Sequence, residues 1–276
     1  MIRKAWIGIS VLATLAGCQT VQTTNSGVVG VDRPQTMSTL VSTEKFNRDA
    51  ADAYRKALQE ASKKGQLNQD PAQVERVRRI ANRLIPNTAA FRTDARAWNW
   101  EMNVISSNEV NAWCMPGGKI AVYTGLLVRL KLTDDELAAV MGHEISHALR
   151  EHSRERYSNA VTQGLFIDIL GAVTGVSAVT QQAGQTFLDL TVNLPHSRAD
   201  ETEADRIGVE LAARSGYDPH AAVSLWQKMA QLSGGQSRGG KPPQFLSTHP
   251  SDEARMADLR IYAEKVVPLY ESARNR

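Results

Sequence analysis

The chain has few cysteines, little excess charge and no long apolar run. Two cysteines in 276 residues can form at most one bridge, which excludes a scaffold held together by several disulfides. Basic and acidic residues nearly balance, at 32 and 29, so the formal net charge of +3 gives no electrostatic indication of a nucleic-acid partner. No apolar run reaches the roughly 18 residues of a membrane-spanning helix. The remaining composition, 42% hydrophobic and 22% charged, is typical of a globular protein with a sizeable core.

The first residues resemble a bacterial lipoprotein signal. Two basic residues precede an apolar stretch at residues 5–16, which ends in Leu15-Ala16-Gly17-Cys18. This stretch has the length of a signal-peptide core, and its end resembles a lipobox. Residues 1–17 are therefore predicted to be removed and Cys18 to be lipidated, although an ordinary signal with an unrelated cysteine is the alternative. The residue after Cys18 is Gln19. In lipoproteins of Gram-negative bacteria, which this signal resembles, aspartate at that position retains the protein in the inner membrane. Gln19 therefore favours the outer membrane.

The next segment has the composition of a linker. Residues 18–43 are rich in Thr, Gln, Ser, Gly and Val, with little charge and weak periodicity. We therefore expect a lipidated N-terminus and a flexible tether, followed by one folded domain over residues 44–276.

Helix-capping residues, the periodicity of apolar residues and helix-breaking residues together predict an α+β domain that is mainly helical. Alternation predicts three strands, at residues 98–105, 110–114 and 119–123. Caps and apolar faces predict helices at residues 44–64, 70–85, 197–215 and 218–232, a helix that starts at a capping box after Thr133, and a last helix after His249-Pro250. Residues 161–192 are apolar and Gly-rich, and they are either core helices or a mobile or membrane-contacting flap.

A metal-binding motif lies within the helix that begins after Thr133. The sequence His143-Glu144-Ile145-Ser146-His147 places two imidazoles one turn apart on one helix face. Two such imidazoles can bind one zinc ion at about 2.0–2.1 Å. Glu144 lies beside them and is a candidate general base, so the motif predicts a catalytic zinc site.

A catalytic zinc usually has a third protein ligand. A third histidine at the metzincin spacing is excluded because Ser153 occupies that position. His152 is expected to face roughly away from the pair, either solvated or supporting a metal ligand from behind. The alternative is an acidic ligand on a later helix, where Glu201 and Asp205 share a face. Glu201 as the ligand and Asp205 behind a metal-bound histidine would complete the site. A solvated acidic face is the other interpretation, and we expect it for the neighbouring Asp200 and Glu203.

Five groups of residues together form a specific set of motifs. They are His143-Glu144-Ile145-Ser146-His147, Ser197-Arg198 with Glu201 and Ala204-Asp205, Ser215-Gly216-Tyr217-Asp218-Pro219, Asn111-Ala112 with Pro116-Gly117-Gly118 and Gly125-Leu126, and Ser247-Thr248-His249-Pro250. This set resembles the membrane-associated gluzincin peptidases, the family of HtpX, the CAAX prenyl protease and the Oma-type proteases. The likeness covers roughly residues 44–265 and is closest to periplasmic lipoprotein peptidases of the BepA and LoiP type. The resemblance implies one zinc ion per chain, Glu201 as its third ligand, Glu144 as the general base, and a zincin-like core with a small sheet above the zinc-binding helix.

Other groups are candidates for contact with the reacting peptide. A donor must stabilise the oxyanion, and His249 is the first candidate, with Arg198 the weaker one. His249 either donates to the oxyanion or occupies the open metal position at rest, and we favour blocking at rest. The alternative is a helix-capping histidine beside Pro250 that takes no part in the site. An extended substrate is expected to pair with an edge strand formed by Lys119, Ile120, Ala121, Val122 and Tyr123.

These features favour a zinc endopeptidase that is lipid-anchored at the periplasmic face of the outer membrane of a Gram-negative bacterium. The family resemblance adds a role in degrading misfolded or misassembled envelope proteins, with unfolded polypeptides as substrates. One alternative is an envelope assembly factor or chaperone with an occluded protease site. A second is a metal-dependent hydrolase of a non-peptide substrate, which a small closed pocket would favour and a strand edge beside the zinc would not.

Overall fold

The structure, a computed structural model, describes residues 18–174, 192–235, 243–250 and 252–275. The predicted signal peptide, residues 1–17, lies outside the described residues. The predicted flap segment is described up to residue 174, where it continues a helix, and again from residue 192.

The fold is α+β and mainly helical, as predicted. The strands are β1 (Cys18–Val21), β2 (Gln35–Ser38), β3 (Glu101–Ile105), β4 (Ala112–Met115) and β5 (Lys119–Tyr123). The helices are α1 (Thr43–Lys63), α2 (Pro71–Leu84), α3 (Thr124–Arg129), α4 (Asp134–Leu149), α5 (His152–Thr174), α6 (Arg198–Arg214), α7 (Ala221–Gly235), α8 (Gln244–Thr248) and α9 (Glu253–Arg274). Two short 3₁₀ helices, Ile85–Ala90 and Thr93–Ala97, connect α2 to β3.

The three-stranded sheet corrects the predicted substrate strand. Its order is β3-β5-β4, so Lys119–Tyr123 is the central strand and not an edge. Val122, for example, pairs with Val104 of β3 on one side and with Ala112 of β4 on the other. Both rows of backbone groups of β5 are therefore used within the sheet. The strand beside α4 is β4, which follows β3 in the chain but lies on the far side of β5.

Helices α4 and α6 form the centre of the domain. Each begins with a capping box, at Thr133 for α4 and at Ser197 for α6, which fixes where its first turn starts. The two helices cross at Gly142 and Gly208, where a Cβ atom on Gly142 would lie 2.8 Å from the Gly208 carbonyl oxygen. Because neither residue has a side chain, the two backbones approach closely enough to bring the motifs of both helices together.

The predicted flexible tether is wrong for the described residues 18–43. Strands β1 and β2 pair antiparallel, with Cys18 opposite Ser38. Val29, Val31 and Met37 are buried in this segment. A composition of small polar residues resembles that of a linker. Burial of these three apolar side chains nevertheless holds the segment against the domain. Cys18, at the start of β1, is exposed and has a free thiol.

Within the described ranges, no helix is both long enough and apolar enough to cross a lipid bilayer.

Candidate metal centre

Helix α4 presents both motif histidines towards α6. His143 and His147 are buried, their ring centroids lie 4.7 Å apart, and their Nε2 atoms lie 3.1 Å apart. The first turn of α6 adds Glu201, which is 1% exposed. One of its oxygens, Oε2, lies 3.5 Å from His143 Nε2, and the other, Oε1, lies 3.5 Å from His147 Nε2.

This donor set fits a zinc ion. Ligand atoms at about 2.0–2.1 Å from a tetrahedral zinc lie about 3.3 Å from one another. The three separations in the structure, 3.1, 3.5 and 3.5 Å, are close to that value. At this centre, Glu144 Oε1 is buried and has no hydrogen bond within the described part of the chain. Since an unsatisfied buried oxygen is costly, it suits contact with an ion or its water. Glu201 Oε2 forms an ion pair with Arg255 Nη1 at 2.8 Å, which holds the carboxylate in place.

The electrostatic environments of the two carboxylates differ. Burial raises the pKa of Glu144, which suits a group that must accept a proton. Burial also opposes ionisation of Glu201, but His249, His143 and His147 outweigh it and hold the pKa of that carboxyl well below its usual value. Glu201 is therefore ionised, as a metal ligand must be, while Glu144 is the more basic of the two.

Asp205 orients the first histidine. Its Oδ1 lies 3.0 Å from His143 Nδ1, and Arg255 donates to both of its oxygens, at 2.8 and 2.9 Å. An Nδ1 proton shared with this carboxylate leaves the Nε2 lone pair free for a metal. Burial opposes protonation of His143, yet Asp205 and Glu201 raise its pKa to about 10, so these two carboxylates favour a positive charge at this position.

The second histidine is supported through another histidine. This agrees with the expectation that His152 could support a metal ligand from behind, and it corrects the expected orientation of His152 and the expected exposure of Asp200 and Glu203. His152, expected to face away, is buried with its Nδ1 2.9 Å from His147 Nδ1. Asp200 and Glu203, expected to be solvated, are buried as well, and Glu203 Oε2 lies 3.1 Å from His152 Nε2. The expectation for His152 assumed one continuous helix. The chain instead turns between α4 and α5 at Glu151, whose φ is +53°, and this turn carries His152 back towards the motif.

His249 lies within the centre. Its Nδ1 atom lies 2.9 Å from Glu201 Oε1 and 3.2 Å from His143 Nε2, and its Nε2 lies 3.4 Å from Glu144 Oε1. It belongs to the same group of potential ligands as His143, His147 and Glu201. The weaker oxyanion candidate, Arg198, has a side chain that is 90% exposed and lies 3.7 Å from Asp252. Arg198 is therefore not positioned to contact the reacting groups.

The sequence profile of Peptidase family M48 matches residues 71–263, more than half of the chain. The chain belongs to this family. The match contains the motif histidines, Glu144, Glu201 and Asp205, together with His249, and it confirms the resemblance found from the sequence motifs.

Several curated relatives support the assignment to family M48. The chain is 41% identical over 157 residues to the mitochondrial metalloendopeptidase OMA1 of Arabidopsis thaliana, which is 57% of this chain and 30% of the relative. It is 33% identical over 219 residues to the OMA1 protein of Schizosaccharomyces pombe, covering 79% and 61%. It is 30% identical over 207 residues to the beta-barrel assembly-enhancing protease of Yersinia pestis, covering 72% and 40%. The chain thus spans between 30% and 61% of the length of these relatives.

Two residues of this M48 centre had no signal in the sequence. His196 precedes α6, and its ring lies 3.8 Å from that of His147 and 5.1 Å from that of His249, parallel to the latter within 17°. Its backbone N–H donates to the carbonyl of Thr248 at 3.0 Å, which ties it to the segment that carries His249. Arg255 was missed because its pairing with Asp205 depends on how α9 packs against α6.

Strand β4 forms one wall of the centre. Ala112, Trp113 and Cys114 line a small cavity together with Glu144, His147, Ser153, Val192, His196 and His249. In the described part of the sheet, β4 pairs with β5 alone, so its other side is an edge next to the candidate base.

Proposed function

We propose that this chain is a zinc-dependent endopeptidase. The observation that supports it most directly is the triangle formed by the donor atoms of His143, His147 and Glu201, with Glu144 buried beside it. Zinc, when bound, would polarise the scissile carbonyl and make water more acidic. Glu144 accepts the proton of the attacking water and then delivers it to the leaving amine. Asp205 keeps the His143 ring in the orientation that metal binding needs.

The substrate is proposed to be an extended polypeptide that pairs with the edge of β4. Three residues of that strand line the same cavity as Glu144 and His147. A peptide added to a sheet edge is bound mainly through its backbone, so unfolded segments bind regardless of much of their sequence. The strand edge supports a peptide substrate over the non-peptide alternative. The cavity beside it is small with His249 in its wall, so we propose that it opens for a peptide when His249 moves.

His249 is proposed to block the centre at rest. It lies within hydrogen-bond distance of Glu201, a proposed ligand, and 3.4 Å from the proposed base Glu144. Access for substrate then requires the segment that carries His249 to move. The same contacts favour the second candidate function, an envelope assembly factor or chaperone whose protease site is normally occluded.

The cellular role is proposed from the N-terminus and from the relatives. The lipobox at Cys18 supports lipid anchoring at the periplasmic face of the outer membrane, where misfolded or misassembled envelope proteins would be the substrates. The name of the Yersinia pestis relative, which refers to β-barrel assembly, supports such a setting. The Arabidopsis thaliana relative is named as mitochondrial, so the family alone does not decide the compartment.

The deciding experiment compares Glu144→Gln with wild type. Glutamine has the shape of glutamate but cannot act as the base, so the variant should retain one zinc per chain and lose cleavage of unfolded casein by a factor on the order of 10²–10⁴. Glu75→Gln, at an exposed position of α2, is the matched control and should cleave like wild type. Undiminished cleavage by Glu144→Gln would remove Glu144 from the base role. Zinc binding without cleavage in wild type and in His249→Ala would favour the chaperone candidate.

A further inference from the structure

Residues 22–38, here called the N-terminal strap, pack against the part of the domain that supports His147. Gln35 and Thr36 both donate to the carboxylate of Glu155 in α5, at 3.1 and 3.0 Å. The backbone N–H of Val29 donates to Glu210 Oε2 in α6 at 2.9 Å. The strap therefore joins α5 and α6 at the end of the zinc-binding helix.

Arg33 of the strap contacts three buried carboxylates. It forms ion pairs with Glu155 at 3.1 Å, with Asp200 at 3.0 Å, and with Glu203. The side chains of these three acids are only 8–12% exposed, whereas that of Arg33 is 34% exposed. The backbone carbonyl of Arg33 accepts from Arg150 Nη2 at 2.7 Å, which fixes the strap at this point. Like charges this close repel one another, so a cation that touches all three holds each carboxylate in place.

A chain of contacts leads from this cluster to the metal centre. Glu203 Oε2 accepts from Arg150 Nε at 2.8 Å and lies 3.1 Å from His152 Nε2. If His152 donates through Nε2 to the carboxylate, its Nδ1 lone pair is left to accept the Nδ1 proton of His147 at 2.9 Å. His147 then presents the lone pair of Nε2 to the metal.

The two histidines of the motif have comparable supports. Behind His143 stands the carboxylate of Asp205, which is held by Arg255. Behind His147 stands the carboxylate of Glu203, reached through His152 and held by Arg33 and Arg150. In each case the ring nitrogen that does not face the metal donates its proton to a supporting group. For His143 that group is the carboxylate held by arginine, and for His147 it is the imidazole of His152, which donates in turn to such a carboxylate.

We propose that Arg33 is a positioning residue for the metal centre: through Glu203 and His152 it fixes the ring and tautomer of His147, so the N-terminal strap completes the zinc site. This inference rests on the proposed zinc centre. It assigns a role to a segment that precedes residue 71, where the match to the family begins.

The test is the zinc affinity of the mature chain, measured by competition with a chelator. Loss of a group that orients a metal-binding histidine typically weakens metal binding about 10–100-fold, so Arg33→Gln should weaken zinc binding by about tenfold or more. Arg206→Gln is the matched control. Arg206 lies on α6, the helix that carries Glu203, and forms a comparable half-buried ion pair with Asp258, away from His152. The control should bind zinc like wild type.

Two further measurements separate positioning from a general loss of stability. In a His152→Phe background, Arg33→Gln should cause no additional loss of zinc affinity, because its path to His147 is already cut. In zinc-loaded wild type, ¹⁵N-resolved NMR should show a His147 Nδ1 proton that is protected from solvent exchange, and this proton should exchange faster in Arg33→Gln. Should Arg33→Gln fail to fold, Arg33→Lys retains the charge while losing the forked contacts, and the same comparisons apply to it.

The outcomes distinguish the inference from the function on which it rests. Absence of zinc binding in wild type would refute the proposed function itself. Tight zinc binding in wild type with equal affinity in Arg33→Gln would refute only the role of the strap, as would fully additive losses in the double variant. Two zinc ions per chain would also overturn it, because His152 would then be a ligand of the second ion and not the support of His147.

Discussion

His249 Nδ1 lies 2.9 Å from Glu201 Oε1 and therefore sits among the atoms proposed to bind zinc. A side chain there competes with water and substrate for the open metal position. The ring is held on one side by Phe245, with centroids 4.5 Å apart, and on another by His196. Displacing His249 thus means moving the α8 segment and not merely rotating one side chain.

The first prediction is that His249→Ala raises the turnover of unfolded casein. A blocked state favoured by about 1.4 kcal/mol would give roughly a tenfold rise once it is removed. Zinc content should be measured in parallel, with His220→Ala as the control, since His220 is an exposed histidine that pairs with Glu264. A fall on the order of 10²–10³-fold would instead assign His249 to oxyanion stabilisation.

The second prediction is that Glu201→Gln loses zinc. A neutral amide is a poor zinc ligand, and it would also weaken the contacts that Glu201 makes with His143 and His147. Metal analysis of the purified variant tests this, with Thr202→Ala on the same turn as the control. Unchanged zinc affinity in Glu201→Gln would mean that the third ligand is another residue, and His249 would be the first to examine.

The sequence predicted the helix that carries the histidine pair well because its signals are local. A capping box at Thr133 and a histidine pair four residues apart are properties of one helix, and the structure has both. The place of Lys119–Tyr123 in the sheet could not be predicted in the same way. Alternation shows that a segment is a strand, but which strands lie beside it depends on how the chain returns, and here β5 returns between β3 and β4.

The missed supports of the centre all depend on contacts between distant parts of the chain. Arg33 meets Glu203, 170 residues later, and Arg255 meets Asp205 through the packing of α9. Acidic residues that face such partners have the same local pattern as a solvated helix face. The sequence therefore predicted Asp200 and Glu203 to be exposed, whereas their burial is possible only because cations from elsewhere accompany them.

The third prediction concerns acid stability. Burial opposes ionisation of Glu203, but hydrogen bonds from His152 and Arg33 outweigh it and lower its pKa from 4.5 to about 2. A carboxyl with a lowered pKa stabilises the fold above its unfolded-state value, and this contribution is lost as the pH falls from about 4.5 through 2. Glu203→Gln should therefore show a smaller loss of unfolding free energy than wild type over this range, measured by denaturant titration at several pH values. Parallel curves for the two proteins would contradict the assignment.

The fourth prediction is that Cys18 carries the membrane anchor. Wild-type protein should be labelled by a fatty-acid analogue in growing cells, and Cys18→Ser should be unlabelled and either released from the membrane fraction or left unprocessed. Cys114→Ser is the control. Cys114 is buried in β4, so this substitution should leave the labelling unchanged. An unlabelled wild-type protein would reject lipidation, whatever its peptidase activity.

The fifth prediction is that the distance between α4 and α6 sets both stability and zinc affinity. A Cβ atom on Gly208 would lie 2.8 Å from the backbone nitrogen of His143, and backbone cannot yield as a flexible side chain can. Gly208→Ala should therefore force the helices apart and destabilise the fold by about 1–3 kcal/mol. Because Glu201 is on α6 and the histidines are on α4, the same movement should separate the ligands and weaken zinc binding.

The matched control for that variant is Gly164→Ala in α5, where an added Cβ atom would meet no atom of the described residues within 4 Å. Alanine is the better helix former, so this change should stabilise the protein slightly, by up to about 1 kcal/mol, and leave zinc binding as in wild type. Thermal unfolding of the zinc-free and zinc-loaded forms of both variants gives the two quantities together. If Gly208→Ala lowers stability while the zinc-induced rise in melting temperature stays as large as in wild type, close helix contact is needed for folding but not for the geometry of the ligands.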